Sequence, residues 1–162
     1  MDDQEWDRAL EACYARVLRA LIGACGSRQR AEDGLQDALL AAWTPGVRER
    51  VKRPDAWLYR VALRAIGRAR WRRRFEVRLI ESVVRQPEPN LDSVAALELL
   101  RKLTTRQREF VVARYFLDLS YLEIAEKWEV SVSNATSTVS QALARLRRDL
   151  EKEASEWTSR SV

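Results

Sequence analysis

Apolar side chains recur at three- and four-residue intervals along most of this chain, which is the spacing of amphipathic helices. The first such stripe covers residues 10–24 and stops at glycines. The second predicts a helix over residues 28–43, and its apolar face holds Leu35, Leu39, Ala42 and Trp43. A third helix is expected to begin at Pro54 and to run to about residue 74, with Trp57 in the core. No segment shows the two-residue alternation of a strand.

The pattern breaks between residues 76 and 91, where Pro87 and Pro89 remove backbone donors and rule out a continuous helix. Helical spacing then resumes in four segments, which we place at residues 91–103, 106–116, 121–128 and 132–153. A serine-rich tail at residues 155–161 is expected to fray. The sequence therefore predicts an all-α protein of two small helical domains, residues 1–75 and 92–162, joined by a flexible linker at residues 76–91.

Residues 119–148 have the pattern of a helix-turn-helix. Ser120 can cap a short helix, a tight turn follows at residues 129–131, and a longer helix then places Ala135, Val139, Leu143 and Leu146 inward. The outward positions of the longer helix carry short polar side chains, which can contact base edges or phosphates when such a helix enters the major groove. An ordinary helical hairpin with a polar face is the alternative that the pattern alone leaves open.

Composition excludes several kinds of chemistry. The chain has no histidine and only two cysteines, so neither histidine-dependent catalysis nor a Cys/His zinc site is expected. No glycine-rich phosphate loop and no paired nucleophile and base can be placed, and we therefore expect no enzyme activity, no cofactor and no metal. The first residues are acidic and polar, unlike a secretory signal, and no apolar run approaches the ~20 residues of a membrane span. These features predict a cytoplasmic protein with no membrane insertion.

The net charge of +5 is concentrated in one stretch of the chain. Residues 48–78 hold 12 basic and 3 acidic side chains, whereas residues 1–47 and 79–100 each have an acidic excess of three. Residues 47–53, at the start of the basic stretch, are expected to form a loop. Most of the basic residues are arginines, whose planar fork suits phosphate and guanine, although a GC-rich genome also favours arginine. A solvated face is the alternative explanation, but it does not account for clustering this dense.

Motifs in both halves of the chain resemble those of one family. Residues 103–109, 114–116, 119–126 and 141–147 are similar to region 4 of bacterial RNA polymerase sigma factors. The segment Ala31-Glu32-Asp33-Gly34-Leu35-Gln36-Asp37-Ala38, followed by Trp43, resembles region 2.2 of the same family. Residues 55–62 and the arginine run at 72–74 resemble regions 2.3 and 2.4. Nothing resembles region 1.1 or region 3, and this two-domain arrangement is that of the extracytoplasmic-function (ECF) group.

The resemblance implies a sigma factor that binds core RNA polymerase and directs promoter recognition, −10 strand melting and transcription initiation. Binding to the clamp helices of the largest polymerase subunit carries over to Asp33, Gln36, Asp37 and Leu40. Binding of the separated −10 strand carries over to Arg48, Arg50, Lys52, Arg53, Arg60, Arg64, Arg68, Trp71 and Arg72. The second domain would meet the polymerase flap and would contact the −35 promoter DNA through Ser133, Asn134, Thr136, Ser137, Thr138, Gln141 and Arg145.

Six positions depart from the family pattern. Arg64 and Arg68 stand where the third helix of the family usually has asparagine and aspartate, so the −10 preference is expected to differ from the usual one. Gly34 lies inside a helix, where glycine costs ~1 kcal/mol against alanine. Glu129 stands where the helix-turn-helix usually has glycine, so either a positive φ there is strained or the turn differs. Thr136 and Thr138 stand where the recognition helix of the family usually has lysine and arginine. The recognition helix therefore either reads an atypical −35 sequence through hydroxyls or contacts it weakly.

Two other functions stay open at this point. An anti-sigma factor is a common partner in the ECF group, so the chain could be a sigma-like interaction protein that titrates such a factor without reading promoters. The uncharged recognition helix favours this alternative, but the basic stretch at residues 48–74 argues against it, because a decoy needs no phosphate-binding surface. An autonomous helix-turn-helix repressor would leave residues 28–74 unexplained.

Overall fold

The computed structural model describes residues 2–76 and 94–160, and the regular elements within these ranges are α-helices. No described residue lies in a strand, as the all-α prediction requires. The chain divides into two compact units, Met1–Asp92 and Ser93–Val162. The expected linker lies outside the described residues from residue 77 onward, so its boundaries stay predictions. Among the described helices, none has the length and apolar character needed to cross a membrane.

The first unit contains α1 (Asp3–Cys25), α2 (Arg28–Ala42), the short α3 (Val47–Arg50) and α4 (Pro54–Glu76). Local chemistry sets both ends of α1. The Glu5 N–H donates to the Asp2 carboxylate at 2.7 Å and the Asp2 N–H donates to the Glu5 carboxylate at 3.0 Å, which is a capping box. At the other end Gly26 has a φ of 69°, a left-handed conformation that glycine adopts without strain, and its N–H donates to the Ile22 carbonyl.

Helix α4 packs against both α1 and α2. The core of this unit combines large side chains with many alanines, and its fully buried members include Trp6, Val17, Leu21, Leu35, Leu58 and Tyr59. Gly34 shows how closely α2 approaches α4, because a Cβ built there would lie 2.5 Å from Ile66 Cγ1 and 3.0 Å from the Ala62 carbonyl oxygen. The glycine that weakens the helix locally therefore permits a close contact between two helices.

Three expectations for the first unit are wrong. Residues 47–50 form the helical turn α3 where the sequence predicts a loop, and the chain enters it through Gly46 at a φ of 82°. Trp43 is 61% exposed although it was expected on the packed face of α2. Trp57 is only half-buried although it was expected in the core. Both tryptophans belong to the borders of apolar stripes, where the helical period alone does not decide which side a neighbouring helix covers.

The second unit contains α5 (Val94–Arg101), α6 (Thr105–Tyr115), α7 (Tyr121–Trp128) and α8 (Val132–Arg160). Helices α6, α7 and α8 pack on one another around the buried side chains of Phe110, Leu117, Leu119, Ile124 and Val139. The Trp128 ring meets the Phe110 ring edge-on with 5.4 Å between centroids. Its Nε1–H donates to a carboxylate oxygen of Glu109 at 3.0 Å, so the indole is both packed and hydrogen-bonded.

Helices α7 and α8 with the turn between them form the predicted helix-turn-helix. Ser120 and Glu123 make a capping box, and α7 begins and ends at the predicted residues. Glu129 has φ 55° and ψ 47°, and the Val130 N–H donates to the Ala125 carbonyl at 3.0 Å. The turn therefore contains a residue in the left-handed conformation that commonly ends a helix. This conformation costs about 1 kcal/mol at a non-glycine residue such as Glu129.

Helix α8 differs from its prediction in two respects. Leu143 was expected inward but is 37% exposed, and Ala142 is buried in its place against Leu103 and Val111. The helix also continues to Arg160, so the backbone of residues 155–160 is helical where fraying was expected. An ion pair between Lys102 and Glu153 joins the later part of α8 to the residue that follows α5.

Candidate functional site

Helix α2 has one packed side and one open side. Ala31, Leu35 and Ala38 are buried against the core. The four residues that the family resemblance assigns to polymerase binding are all exposed, and their spacing of three, four and seven residues places them on a common side: Asp33, Gln36, Asp37 and Leu40. Leu40 is 74% exposed, which leaves a large apolar side chain in water. We call these four residues together with Trp43 the α2 outer face.

Trp43 is the member of the α2 outer face that the sequence pattern misassigned. It follows Leu40 by three residues and Gln36 by seven, a spacing that continues the exposed side of α2. It is also the C-cap residue directly after α2, and its N–H donates to the Leu40 carbonyl at 3.3 Å. The same spacing was available from the sequence, but a tryptophan at the border of an apolar stripe suggested packing.

The basic residues assigned to the −10 strand differ in how far they are exposed to solvent. Arg50, Lys52, Arg64 and Arg68 are exposed, and Arg60 is half-buried. Because Arg60, Arg64 and Arg68 follow one another at four-residue intervals on α4, they form one stripe along the helix. Trp57 precedes Arg60 by three residues and begins the same stripe. The backbone of Trp71 and Arg72 belongs to α4, but their side chains lie outside the described residues.

Two further basic residues are held by carboxylates of this unit. Arg53 binds Asp55 through two parallel contacts, Nη2 to Oδ2 at 2.8 Å and Nε to Oδ1 at 3.2 Å. Burial raises the pKa of Asp55, but the hydrogen bonds from Arg53 and from the Ala56 backbone, together with the charges of Arg53 and Arg16, outweigh the effect of burial, so the net pKa is lowered. Arg48 forms ion pairs with Glu49 at 2.9 Å and with Asp3. Arg53 therefore fixes the start of α4, and Arg48 joins α3 to α1.

The first turns of α8 present mostly small polar groups. Ser133, Asn134, Ser137 and Gln141 are exposed, while Thr136 and Thr138 are half-buried. The Thr136 hydroxyl donates to the Val132 carbonyl at 2.9 Å, so its hydrogen is used within the helix. Arg145 is exposed on a later turn. The structure thus brings the assigned −35 residues together at one end of one helix, with unequal exposure.

The described residues hold no cluster of histidine, cysteine and acidic side chains that would bind a metal ion. Cys13 is half-buried, and its thiol donates to the Leu10 carbonyl at 3.4 Å. Burial and the nearby charge of Asp55 raise the pKa of the Cys13 thiol to about 11. A thiol in this environment stays protonated at neutral pH and is a weak nucleophile.

Comparison with known proteins agrees with both units. Residues 9–75 match the family model Sigma-70 region 2, and residues 93–146 match Sigma-70, region 4. The RNA polymerase sigma-E factor of Streptomyces avermitilis is 31% identical over 160 residues, covering 93% of this chain and 86% of the relative. The sigma-E factor of Streptomyces coelicolor is 32% identical over 158 residues, with the same coverage.

A solved structure is also similar. The sigma factor RpoE of Bartonella quintana, crystallised in complex with the anti-sigma factor NepR, has a TM-score of 0.75 and 25% identity, covering 91% of this chain and 98% of that one. The two family matches occur in the order expected for the ECF group, and the relatives match over most of their length. The chain therefore belongs to the ECF sigma factors, which bind core RNA polymerase and direct transcription initiation from promoter DNA.

Proposed function

We propose that the α2 outer face is the surface through which this sigma factor binds the clamp helices of core RNA polymerase. The observation that carries the proposal is the exposure of two large apolar side chains, Leu40 and Trp43, beside the exposed acids Asp33 and Asp37. Exposed apolar side chains grouped with polar ones are typical of protein interfaces. The opposite side of α2 is occupied by the core, so the outer face is available to a partner.

We propose in the same way that α4 and the segment before it bind the separated −10 strand. The stripe of Arg60, Arg64 and Arg68 supplies positive charge along one side of α4, and Arg50 and Lys52 add exposed charges before it. Separated strands need such charge together with an aromatic surface on which bases stack. Trp57 begins the stripe and is only half-buried, so it is partly accessible to a base. This supports Trp57 as a stacking candidate in addition to Trp71.

The second unit, in this proposal, meets the polymerase flap and reads the −35 duplex through the first turns of α8. The domains would correspond to residues 1–75 and 92–162 with a linker at 76–91. The protein would work in the cytoplasm beside the polymerase, which performs the chemistry, and it would itself have no enzyme activity. The absence of histidine and the high pKa of Cys13 support the last point.

A second function deserves a test because of one observation, the lack of charge at the start of α8. The chain would in that case act as a sigma-like protein that titrates an anti-sigma factor. The Bartonella sigma factor was crystallised with such a partner, which supports an anti-sigma factor as a partner of this chain as well. The basic stripe on α4 favours the promoter-reading function, because titration of an anti-sigma factor requires no contact with nucleic acid.

The polymerase assignment is tested by reversing one charge on the α2 outer face. We expect Asp37→Lys to weaken binding to core polymerase at least about tenfold, because a reversed charge at an interface meets like charge or loses its partner. The matched control is Glu11→Lys, a reversal at an exposed position of α1. Affinity is measured by competition against the labelled wild-type chain, with thermal unfolding as the check on the fold. Equal affinities of the two folded variants would remove the α2 outer face from the interface.

A further inference from the structure

The start of α8 lacks the side chains that recognise guanine. No charged residue occurs between Val132 and Ala144, so the first arginine of the helix is Arg145, roughly 20 Å along the axis from Val132. Guanine is read in the major groove by the fork of arginine or by lysine, which donate to its O6 and N7 acceptors. In a helix-turn-helix the residues near the N-terminus of the second helix reach the bases. This end of α8 therefore has no arginine or lysine that could read guanine.

The same turns do carry side chains suited to adenine. Asn134 and Gln141 are exposed and lie seven residues apart, about two helical turns, so they point to the same side of α8. A side-chain amide pairs with adenine through two hydrogen bonds, accepting from N6 and donating to N7. The Asn134 backbone N–H is fixed by the Ser131 hydroxyl at 3.1 Å, which anchors this residue at the beginning of the helix. Its side-chain amide stays exposed.

Thr136 offers apolar contact to thymine. Its hydroxyl hydrogen is engaged with the Val132 carbonyl, so the group has lost its donor for base recognition and the side chain contributes chiefly its methyl group. A threonine methyl makes favourable contact with the C5-methyl group of thymine, which no other base of DNA normally carries. The serines at 133 and 137 are exposed, and their hydroxyls suit either base pair.

We infer that α8 reads A·T base pairs in the major groove of the −35 element, with Asn134 and Gln141 as the specificity-determining residues. The inference rests on the proposed function of α8 as the −35 reader. Arg145 has a different task, because its position on the fourth turn suits a phosphate at the edge of the groove. The uncharged residues at the start of α8 then select A·T base pairs, and their lack of charge does not mean that α8 has lost DNA recognition.

The inference is tested with holoenzyme assembled from core polymerase and the full chain. A promoter library randomised across both recognition elements is transcribed, and the templates of the resulting transcripts are sequenced. We expect A·T pairs to be enriched in the upstream element. Gln141→Ala should reduce the preference for adenine at one position about fivefold or more, and Asn134→Ala should do so at another, because each loses a bidentate contact. Gln141→Arg should move one position towards guanine.

The matched control is Arg145→Gln, which should weaken transcription from all templates alike and leave the base preference unchanged. Specific transcripts with a G·C-rich or random upstream element would overturn the inference and leave the proposed sigma function intact. Base preferences that do not respond to Asn134→Ala or Gln141→Ala would also overturn it. A holoenzyme that starts no promoter-specific transcript would overturn both the inference and the function on which it rests.

Discussion

Gly34→Ala should destabilise the first unit although alanine is the better helix former. Within α2 the substitution gains about 1 kcal/mol of helix propensity. The new Cβ would lie 2.5 Å from Ile66 Cγ1, 2.9 Å from Ile66 Cδ1 and 3.0 Å from the Ala62 carbonyl oxygen. Adding a methyl group where there is no room costs about 1–3 kcal/mol, and a backbone oxygen cannot rotate away. We expect a net loss of about 1 kcal/mol in the free energy of unfolding.

Gly67→Ala provides a matched control within the same unit. Gly67 lies inside α4, is exposed, and has no atom within 4 Å of a Cβ built on it. The gain in helix propensity is therefore not offset by a steric cost, and this variant should be more stable than the wild type by about 0.5–1 kcal/mol. The two substitutions are chemically identical, so the difference between them isolates the contact between α2 and α4.

The free energy of unfolding of both variants is measured by chemical denaturation, with circular dichroism as the signal. A difference of 1 kcal/mol corresponds to roughly 4–8 °C in the melting temperature of a unit of this size. Ile66→Ala removes the two nearest atoms, so it should be less harmful in the Gly34→Ala background than in the wild type, with a coupling of about 0.5–3 kcal/mol. If Gly34→Ala stabilises as much as Gly67→Ala, the proposed close contact does not limit this site.

Three further predictions concern other parts of the chain. Glu129→Gly should raise the stability of the second unit by about 1 kcal/mol in urea denaturation, because glycine adopts the left-handed conformation at φ 55° without strain. A less stable variant would contradict this prediction. Arg53 helps to lower the pKa of Asp55, so the contribution of Asp55 to stability should be complete above its ordinary pKa of 3.8 and should disappear as the pH falls through the lower pKa of the folded state. Asp55→Asn should abolish this acid-dependent loss of stability in thermal melts. An unchanged loss in the variant would assign the titration to another group. Arg68→Gln should weaken open-complex formation and should reduce the slope of log binding constant against log salt concentration by about 0.7. The control Arg8→Gln, at an exposed position of α1, should change neither quantity. Equal effects of the two substitutions would argue against a specific basic stripe.

The ends of α7 and the C-terminal end of α1 were predicted well because their causes are local. The capping box of Ser120 and Glu123 involves residues three apart, and α7 begins and ends where the sequence indicates. Gly26 ends α1 for an equally local reason. The expected set of polymerase-binding residues on α2 also proved to share one exposed side, because the helical period fixes relative positions around an axis.

The borders of the apolar stripes were predicted poorly. Trp43 and Leu143 were expected inward and are exposed, whereas Ala142 is buried. A stripe of apolar residues defines the centre of the packed side but not its width, because the width depends on how many neighbouring helices cover it and at what angle. Arg53 shows the same limit for charge, since only the folded chain reveals whether a basic side chain meets solvent or a carboxylate.

The sequence by itself determined the helical class, the helix-turn-helix and the family, since these depend on periodicity, capping and motifs within short stretches of chain. Only the tertiary structure decided that Gly34 permits close packing on Ile66, that Trp43 belongs to an open surface, and that the Thr136 hydroxyl is already used within its helix. The physical reason is that steric room, exposure and hydrogen-bond supply are set by atoms brought near in space, whereas capping and periodicity act between residues a few positions apart.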